Sequence, residues 1–165
     1  PIYQSVFLLK NYFNPLPFNL VILYYDLNIK KVEALSLIEE LILHFPNDCK
    51  YKMFKAIILI WSRQIRAYEQ LRNEVFNELV TTRSESLKFF LHEIVIHDLS
   101  DYVLSEFESG TYGDYLNKHY QYVYYAAIYF SQPDDSRLEH IPEAINDQYE
   151  ECVSEVEKAR AFYAS

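Results

Sequence analysis

The sequence predicts an all-α protein, an irregular bundle of five or six helices in one domain spanning 1–165. Three observations carry that expectation. Apolar residues recur at intervals of three and four along most of the chain, prolines cluster at a few points between those runs, and glycine is nearly absent. Only Gly110 and Gly113 occur among 165 residues, where average usage is about 7%. So few glycines leave little material for turns with positive φ, which argues against hairpin-rich β architecture and for long helices with few connections.

Taken in order, Tyr3 to Phe13 reads as a short apolar helix halted by Asn14-Pro15-Leu16-Pro17. Phe18 to Leu27 is a compact apolar run that fits a buried strand or a helix, and the lack of a second strand to pair with it favours helix. Asp26 or Asn28 is placed to cap the next helix, Ile29 to Phe45, with Leu35, Ile38, Leu41, Ile42 and Phe45 on one face. Pro46-Asn47-Asp48 ends it and starts another. From about Lys50 to Val80, Tyr51, Phe54, Ile58, Trp61, Ile65, Tyr68, Val75 and Leu79 form a 4-3 seam expected of one long bundle helix.

A further helix is expected from Ser84 to about Glu108, closed by Ser109-Gly110-Thr111 with Gly110 as the left-handed terminator. Tyr112 to Phe130 then reads as a tyrosine-rich helix at the centre of the bundle. At 100° per residue its aromatic and aliphatic side chains cover roughly 260° of the wheel, leaving Asn117, Lys118, Gln121 and Ile128 as the bare strip. His119 falls on its apolar stripe and reads as a hydrogen-bonded core residue. Pro142 opens the last helix, in which Ile145, Tyr149, Cys152, Val156, Ala159 and Tyr163 hold strict 4-3 spacing opposite Glu143, Asp147, Glu150, Glu151, Glu155 and Glu157.

Charge is unevenly divided. Residues 1–97 hold 11 Lys and Arg against 10 Asp and Glu, whereas residues 98–165 hold 4 against 14, within a net charge of -9. An acidic half of this kind repels nucleic acid and favours a basic protein partner. Sixteen tyrosines supply large, partly polar side chains suited to half-buried positions and interfaces, although an AT-rich coding sequence would produce the same excess. Cys49 and Cys152 stand in no metal-type spacing, and with no signal peptide visible they are expected as free thiols in the cytoplasm. No apolar run reaches membrane-spanning length. The start at Pro1 reads as loss of an initiator Met or as a cut from a longer polypeptide.

Phosphate-binding glycine loops, a nucleophile elbow and paired Cys-x-x-Cys units are missing, which argues against nucleotide and cofactor chemistry. His92 and His97 lie five apart, about 140° from each other on a helix, and cannot share a metal from a regular helix. Glu93, His97 and Asp101 fall on one side at i, i+4 and i+8. Glu93 with His97 would need carboxylates from elsewhere, such as Glu139 or Glu143, to form a metal-dependent enzyme, and the plainer reading is an exposed pair flanking the core. Lys52, Lys55, Arg63 and Arg66 form a basic strip that reads as solvated or as facing the acidic last helix. No catalytic residue, metal or cofactor is assigned.

The functional expectation is a non-catalytic acidic protein-binding module, most concretely an inhibitor of the immunity or antitoxin type or a phage or viral antagonist, that occludes a basic surface. Asp147, Glu150, Glu151 and Glu155 would steer the encounter, and Tyr115, Tyr122 and Tyr129 would anchor it. The alternatives are a helical scaffold or adaptor segment of a larger assembly and, second, a metal-dependent helical-bundle enzyme using Glu93 and His97.

Overall fold

A computed structural model describes residues 15–164; the helix expected over Tyr3 to Phe13 lies outside them. Among the described residues there are nine α-helices, one short 3-10 helix and no strand. Contacts divide the chain into two compact units, one ending at Leu79 and one beginning at Val80.

In the first unit α1 (Leu16–Leu27) starts at Pro15, with a second proline in its first turn, where a missing N–H costs nothing because no intrahelical partner exists there. Helix α2 (Lys31–His44) returns beside it, and α3 (Cys49–Trp61) follows. Asp48 caps α3 by accepting the Lys50 amide at 3.0 Å. All of α3 is buried except Cys49, Lys50, Lys52 and Lys55. Its Tyr51, Phe54 and Trp61 take Phe18 and Tyr25 of α1 edge-on at centroid distances of 5.0 to 5.6 Å, the geometry favoured by ring quadrupoles. The indole Nε1 of Trp61 donates to Asn28 Oδ1 at 2.9 Å, which satisfies the polar edge of a buried ring. Helix α4 (Ile65–Thr81) buries Tyr68, Val75, Phe76 and Leu79.

The second unit holds α5 (Ser86–Ile96), α6 (Ser100–Phe107), α7 (Gly113–His119), α8 (Gln121–Ser131), the 3-10 turn Ser136–His140 and the 22-residue α9 (Glu143–Ala164). From Phe89 to His97 every residue of α5 and its cap is buried. Helices α6, α8 and α9 pack on it, α8 and α9 pack on each other, and the 3-10 turn lies against α8. Gly113 is needed for closeness, since a Cβ there would sit 2.6 Å from the Phe107 carbonyl oxygen. Asn117 locks that approach by donating to the Phe107 and Gly113 carbonyls at 3.1 and 2.8 Å.

Three of the expected long helices are each two helices. The Lys50 to Val80 seam breaks at Ser62 to Gln64, the Ser84 to Glu108 helix at His97 to Leu99, and the tyrosine stretch at Tyr120. The first two breaks share one cause. Arg63 and Asp98 adopt left-handed backbone, with φ of 60° and 64°, as do Asn28, Lys30 and Arg83; neither glycine has positive φ. Arg63 N–H reaches Ile60 O at 3.0 Å and Gln64 N–H reaches Leu59 O at 2.8 Å, and the same pair of bonds closes α5 from Asp98 and Leu99 to Val95 and Ile94. Positive φ is therefore supplied by ordinary residues at about 1 kcal/mol each, and the expectation for Gly110 is wrong. Asn28 ends α1 in the same way and does not cap α2, whose N-cap is Lys30 with no side-chain bond.

At the third break Tyr120 has φ −134° and ψ 27°, so Tyr115 and Tyr122 do not share one helical wheel. Ile128, expected on the bare strip, is buried, and His119, expected in the core, is exposed with its ring on Tyr115 at 4.6 Å.

The left-handed break at Arg63 makes opposite predictions for two truncations that remove the same side chain. Arg63→Gly is expected to be more stable than Arg63→Ala by about 1 kcal/mol in urea denaturation, whereas a continuous helix would put alanine ahead by a similar amount. At the end of α5, Arg160 of α9 donates from Nε and Nη2 to Val95 O at 3.2 and 2.7 Å, approaches Asp98 at 3.4 Å and stacks on the Phe130 ring. Arg160→Met is expected to destabilise by about 2 kcal/mol; a change within about 0.5 kcal/mol, the scatter of neutral surface sites, would show that this clasp contributes little.

Candidate functional site

Helix α9 has two faces because its apolar and acidic residues both recur at helical spacing but out of phase with each other. Cys152, Val156 and Ala159 are buried, with Ile145, Tyr149 and Tyr163 half-buried beside them, while Glu143, Asp147, Glu150, Glu151 and Glu157 are exposed. Glu155 sits at the seam between the faces and is half-buried. It joins Gln148, Glu151 and Cys152 at i, i+3, i+4 and i+7, a single stripe on a helix.

Opposite that stripe, α5 presents Lys88 and His92 one turn apart, and α8 presents Tyr122. Together these seven residues line a pocket of about 110 Å³. Its floor is a buried cluster. His92 Nε2 lies 3.2 Å from the Tyr122 hydroxyl and 3.9 Å from the Cys152 sulfur, and the His92 and Tyr122 rings meet edge to face at 5.9 Å. Its rim carries the carboxyls of Glu151 and Glu155 and the ammonium of Lys88.

Electrostatics in the floor are set by burial. His92 is pushed down to about 4, by desolvation first and by the Lys88 charge second. Cys152 is pushed up to about 12, by desolvation first and then by Glu155. Tyr122 is also raised, chiefly by burial. Near neutral pH all three are uncharged, the reverse of the thiolate and imidazolium that make a Cys-His pair nucleophilic. The rim differs. The Glu155 carboxyl is raised by desolvation and by the neighbouring Glu151 charge, and Lys88 only partly opposes them. Two carboxyls thus crowd one edge of the pocket.

Of the residues expected to bind a partner, Tyr122, Glu151 and Glu155 come together here. Asp147 and Glu150 continue the exposed face, Glu150 accepting from Asn146 at 3.3 Å. Tyr129 is half-buried, its hydroxyl 3.4 Å from Glu157. Tyr115 stands apart on α7, in an aromatic group with His119 and Tyr120 under the Arg83 guanidinium. Lys88, His92, Gln148 and Cys152 went unassigned in the sequence. The spacing sets Cys152 on the apolar face opposite Glu151 and Glu155, whereas in the structure all three line one pocket, with Glu155 half-buried at the seam; the pairing with Lys88 and His92 is tertiary.

Glu93 and His97 are buried rather than exposed, 3.9 Å apart, with the His97 ring against Tyr163. The break after His97 puts Asp101 on the next helix, where it accepts from Ser131 at 2.8 Å. Among the described residues no group of three or more His, Cys, Asp and Glu is placed to hold a metal ion. Of the basic strip, Arg63 and Arg66 are exposed, in keeping with a solvated strip, while Lys52 pairs with Glu74 and Lys55 lies 3.9 Å from Glu39, carboxylates of the first unit and not of the last helix. No described helix is long and apolar enough to cross a membrane.

Fold and site together define an all-helical protein whose second unit carries a carboxylate-rimmed pocket over a neutral His-Tyr-Cys floor. Comparison with protein-family models, with curated proteins and with solved structures finds no match.

The depressed His92 has a consequence for stability with a definite sign. Between about pH 4 and 6.5 the unfolded chain protonates this histidine and the folded chain does not, so stability rises with pH across that window. Glu155, raised above its ordinary value, acts in the opposite direction at the acid end. In urea titrations His92→Gln is expected to flatten the profile by roughly 1 kcal/mol per pH unit between pH 5 and 6; an unchanged slope would mean that His92 titrates as an exposed group.

Proposed function

We propose that this chain is a non-catalytic acidic protein-binding module, most concretely an inhibitor of the immunity or antitoxin type or a phage or viral antagonist, that covers a basic surface of a partner protein. The observation that carries the reading is the one-sided charge of α9. Glu143, Asp147, Glu150 and Glu151 are exposed along its first turns, while of its two cations, Lys158 and Arg160, the second is turned inward onto Val95. A field of one sign on a rigid helix accelerates encounter with an oppositely charged surface. Tyr129, half-buried with its hydroxyl 3.4 Å from Glu157, adds area with little rotamer entropy to lose, whereas Tyr122 is buried and reaches a partner only through the pocket above it.

A second reading, a helical scaffold or adaptor segment, is favoured by a different feature. Leu16, Leu23 and Leu27 are exposed along one side of α1, and Val32 and Leu43 are exposed on α2. Light scattering distinguishes the two, since a scaffold that associates through this surface is expected to give more than a monomer mass at micromolar concentration.

The binding reading is tested with the variant Asp147→Lys, Glu150→Lys, Glu151→Lys, checked for native circular dichroism. A partner recovered from native lysate on the unaltered chain is expected to be basic. At low ionic strength its association rate with the variant should fall by at least about tenfold, and the difference should shrink as salt is added. Equal rates for both proteins would remove the hypothesis.

A further inference from the structure

We propose that the pocket between α5, α8 and α9 is the receptor for one arginine side chain of the partner, with Glu151 and Glu155 gripping its guanidinium and Tyr122 and His92 forming the floor beneath it; this rests on the protein-binding reading above. Three features of the pocket lead there.

Size comes first. A volume of about 110 Å³ leaves room for the head of one side chain. It falls well short of the roughly 300 to 1,000 Å³ of small-molecule sites, which argues against a metabolite as occupant.

Charge comes second. Helix α9 contributes two carboxyls and the Gln148 amide, α5 contributes the Lys88 ammonium and the neutral His92, and α8 contributes a phenol. The carboxyls outnumber the cation. Among the lining residues Lys88 alone stands against the Glu151 and Glu155 carboxyls, so a second positive group entering here meets an excess of acidic side chains.

Geometry comes third. The acceptors are spread over three residues on successive positions of one helix stripe, with the Tyr122 oxygen below. Five donors in a fixed planar fork address several separated acceptors at once, whereas an ammonium is a point charge. The floor is compatible with this occupant because it is neutral: a protonated His92 would repel the guanidinium, and burial keeps its ring uncharged above about pH 4. Lys88, exposed at the rim, is the residue that opposes entry and sets how strongly the site attracts.

The test is a titration of the isotopically labelled full chain with N-acetylarginine amide at low ionic strength, followed by two-dimensional NMR, with N-acetyllysine amide in parallel. Saturable shifts are expected at the Gln148, Glu151 and Glu155 amides and at the Tyr122 and His92 ring signals, with the arginine compound binding several times more tightly. Glu155→Gln should weaken it by about tenfold, the loss of one charge-assisted hydrogen bond, and Lys88→Met, at an exposed position that tolerates change, should strengthen it. Shifts confined to Glu143, Asp147 and Glu150 would overturn the pocket assignment while leaving the acidic docking face intact. Equal affinity for the lysine compound would overturn the choice of guanidinium. Absence of any shift, in a chain whose partner association still depends on the three carboxylates, would sink this inference alone; the docking face itself fails only if charge reversal leaves association unaltered.

Discussion

One helix end holds the second unit in its arrangement. The Val95 carbonyl of α5 accepts the Asp98 amide at 3.2 Å and the Arg160 guanidinium at 2.7 and 3.2 Å, while the Asp98 carboxylate lies 3.4 Å from the same arginine. Asp98 stops the helix by turning left-handed, and Arg160 neutralises the negative end of its dipole. Because Arg160 belongs to α9, this junction also fixes where α9 lies along α5. The pairings climb together along both helices, Cys152 with His92, Arg160 with Val95 and Tyr163 with His97. Moving the arginine by one turn would pull Cys152 off His92 and open the pocket floor. A charged side chain tolerates this half-buried position because its donors meet a carbonyl, a carboxylate and the face of Phe130.

The all-helical class was legible because it rests on periodicity, and periodicity survives local breaks. Tyr68, Val75 and Leu79 are buried as the long seam requires, although the seam belongs to two helices. What could not be read was where those helices stop. Scarcity of glycine does not bring scarcity of positive φ, because the chain places Asn28, Lys30, Arg63, Arg83 and Asp98 in that region. For the asparagine and aspartate the penalty is small, since their short polar side chains tolerate it. For Lys30, Arg63 and Arg83 no local signal exists: the conformation persists because burial of the helices on either side of each turn outweighs about 1 kcal/mol. Tertiary packing chose those turns, and single-chain pattern reading has no access to it.

The site divides along the same line. Its α9 half, the carboxylates against the Cys152, Val156 and Ala159 seam, follows from 3.6-residue spacing and was visible as an amphipathic helix. Its α5 half was not, because Lys88 and His92 sit in a run where nearly everything is buried and polarity reads as noise. The tyrosines separated for a similar reason. A wheel drawn through Tyr120 unites Tyr115 with Tyr122 and Tyr129, and the actual break at that residue leaves Tyr115 with Arg83 and His119 on a different helix. Tyr122 and Tyr129 remain near the acidic face; Tyr115 contributes an aromatic surface of its own.

Burial and charge act in opposite ways within a few ångströms in this pocket, and that contrast bears on what it can do. Desolvation neutralises His92, Cys152 and Tyr122, removing the pH-sensitive and nucleophilic character those residue types would have at a surface. At the rim Glu155 is raised by desolvation first and by its neighbour Glu151 second. A neutral floor beneath a carboxylate edge is the arrangement on which the proposed recognition of a cation rests. Chemistry of the thiol would first require Cys152 to lose a proton it holds to about pH 12, whereas recognition of a positive head needs nothing to change at all.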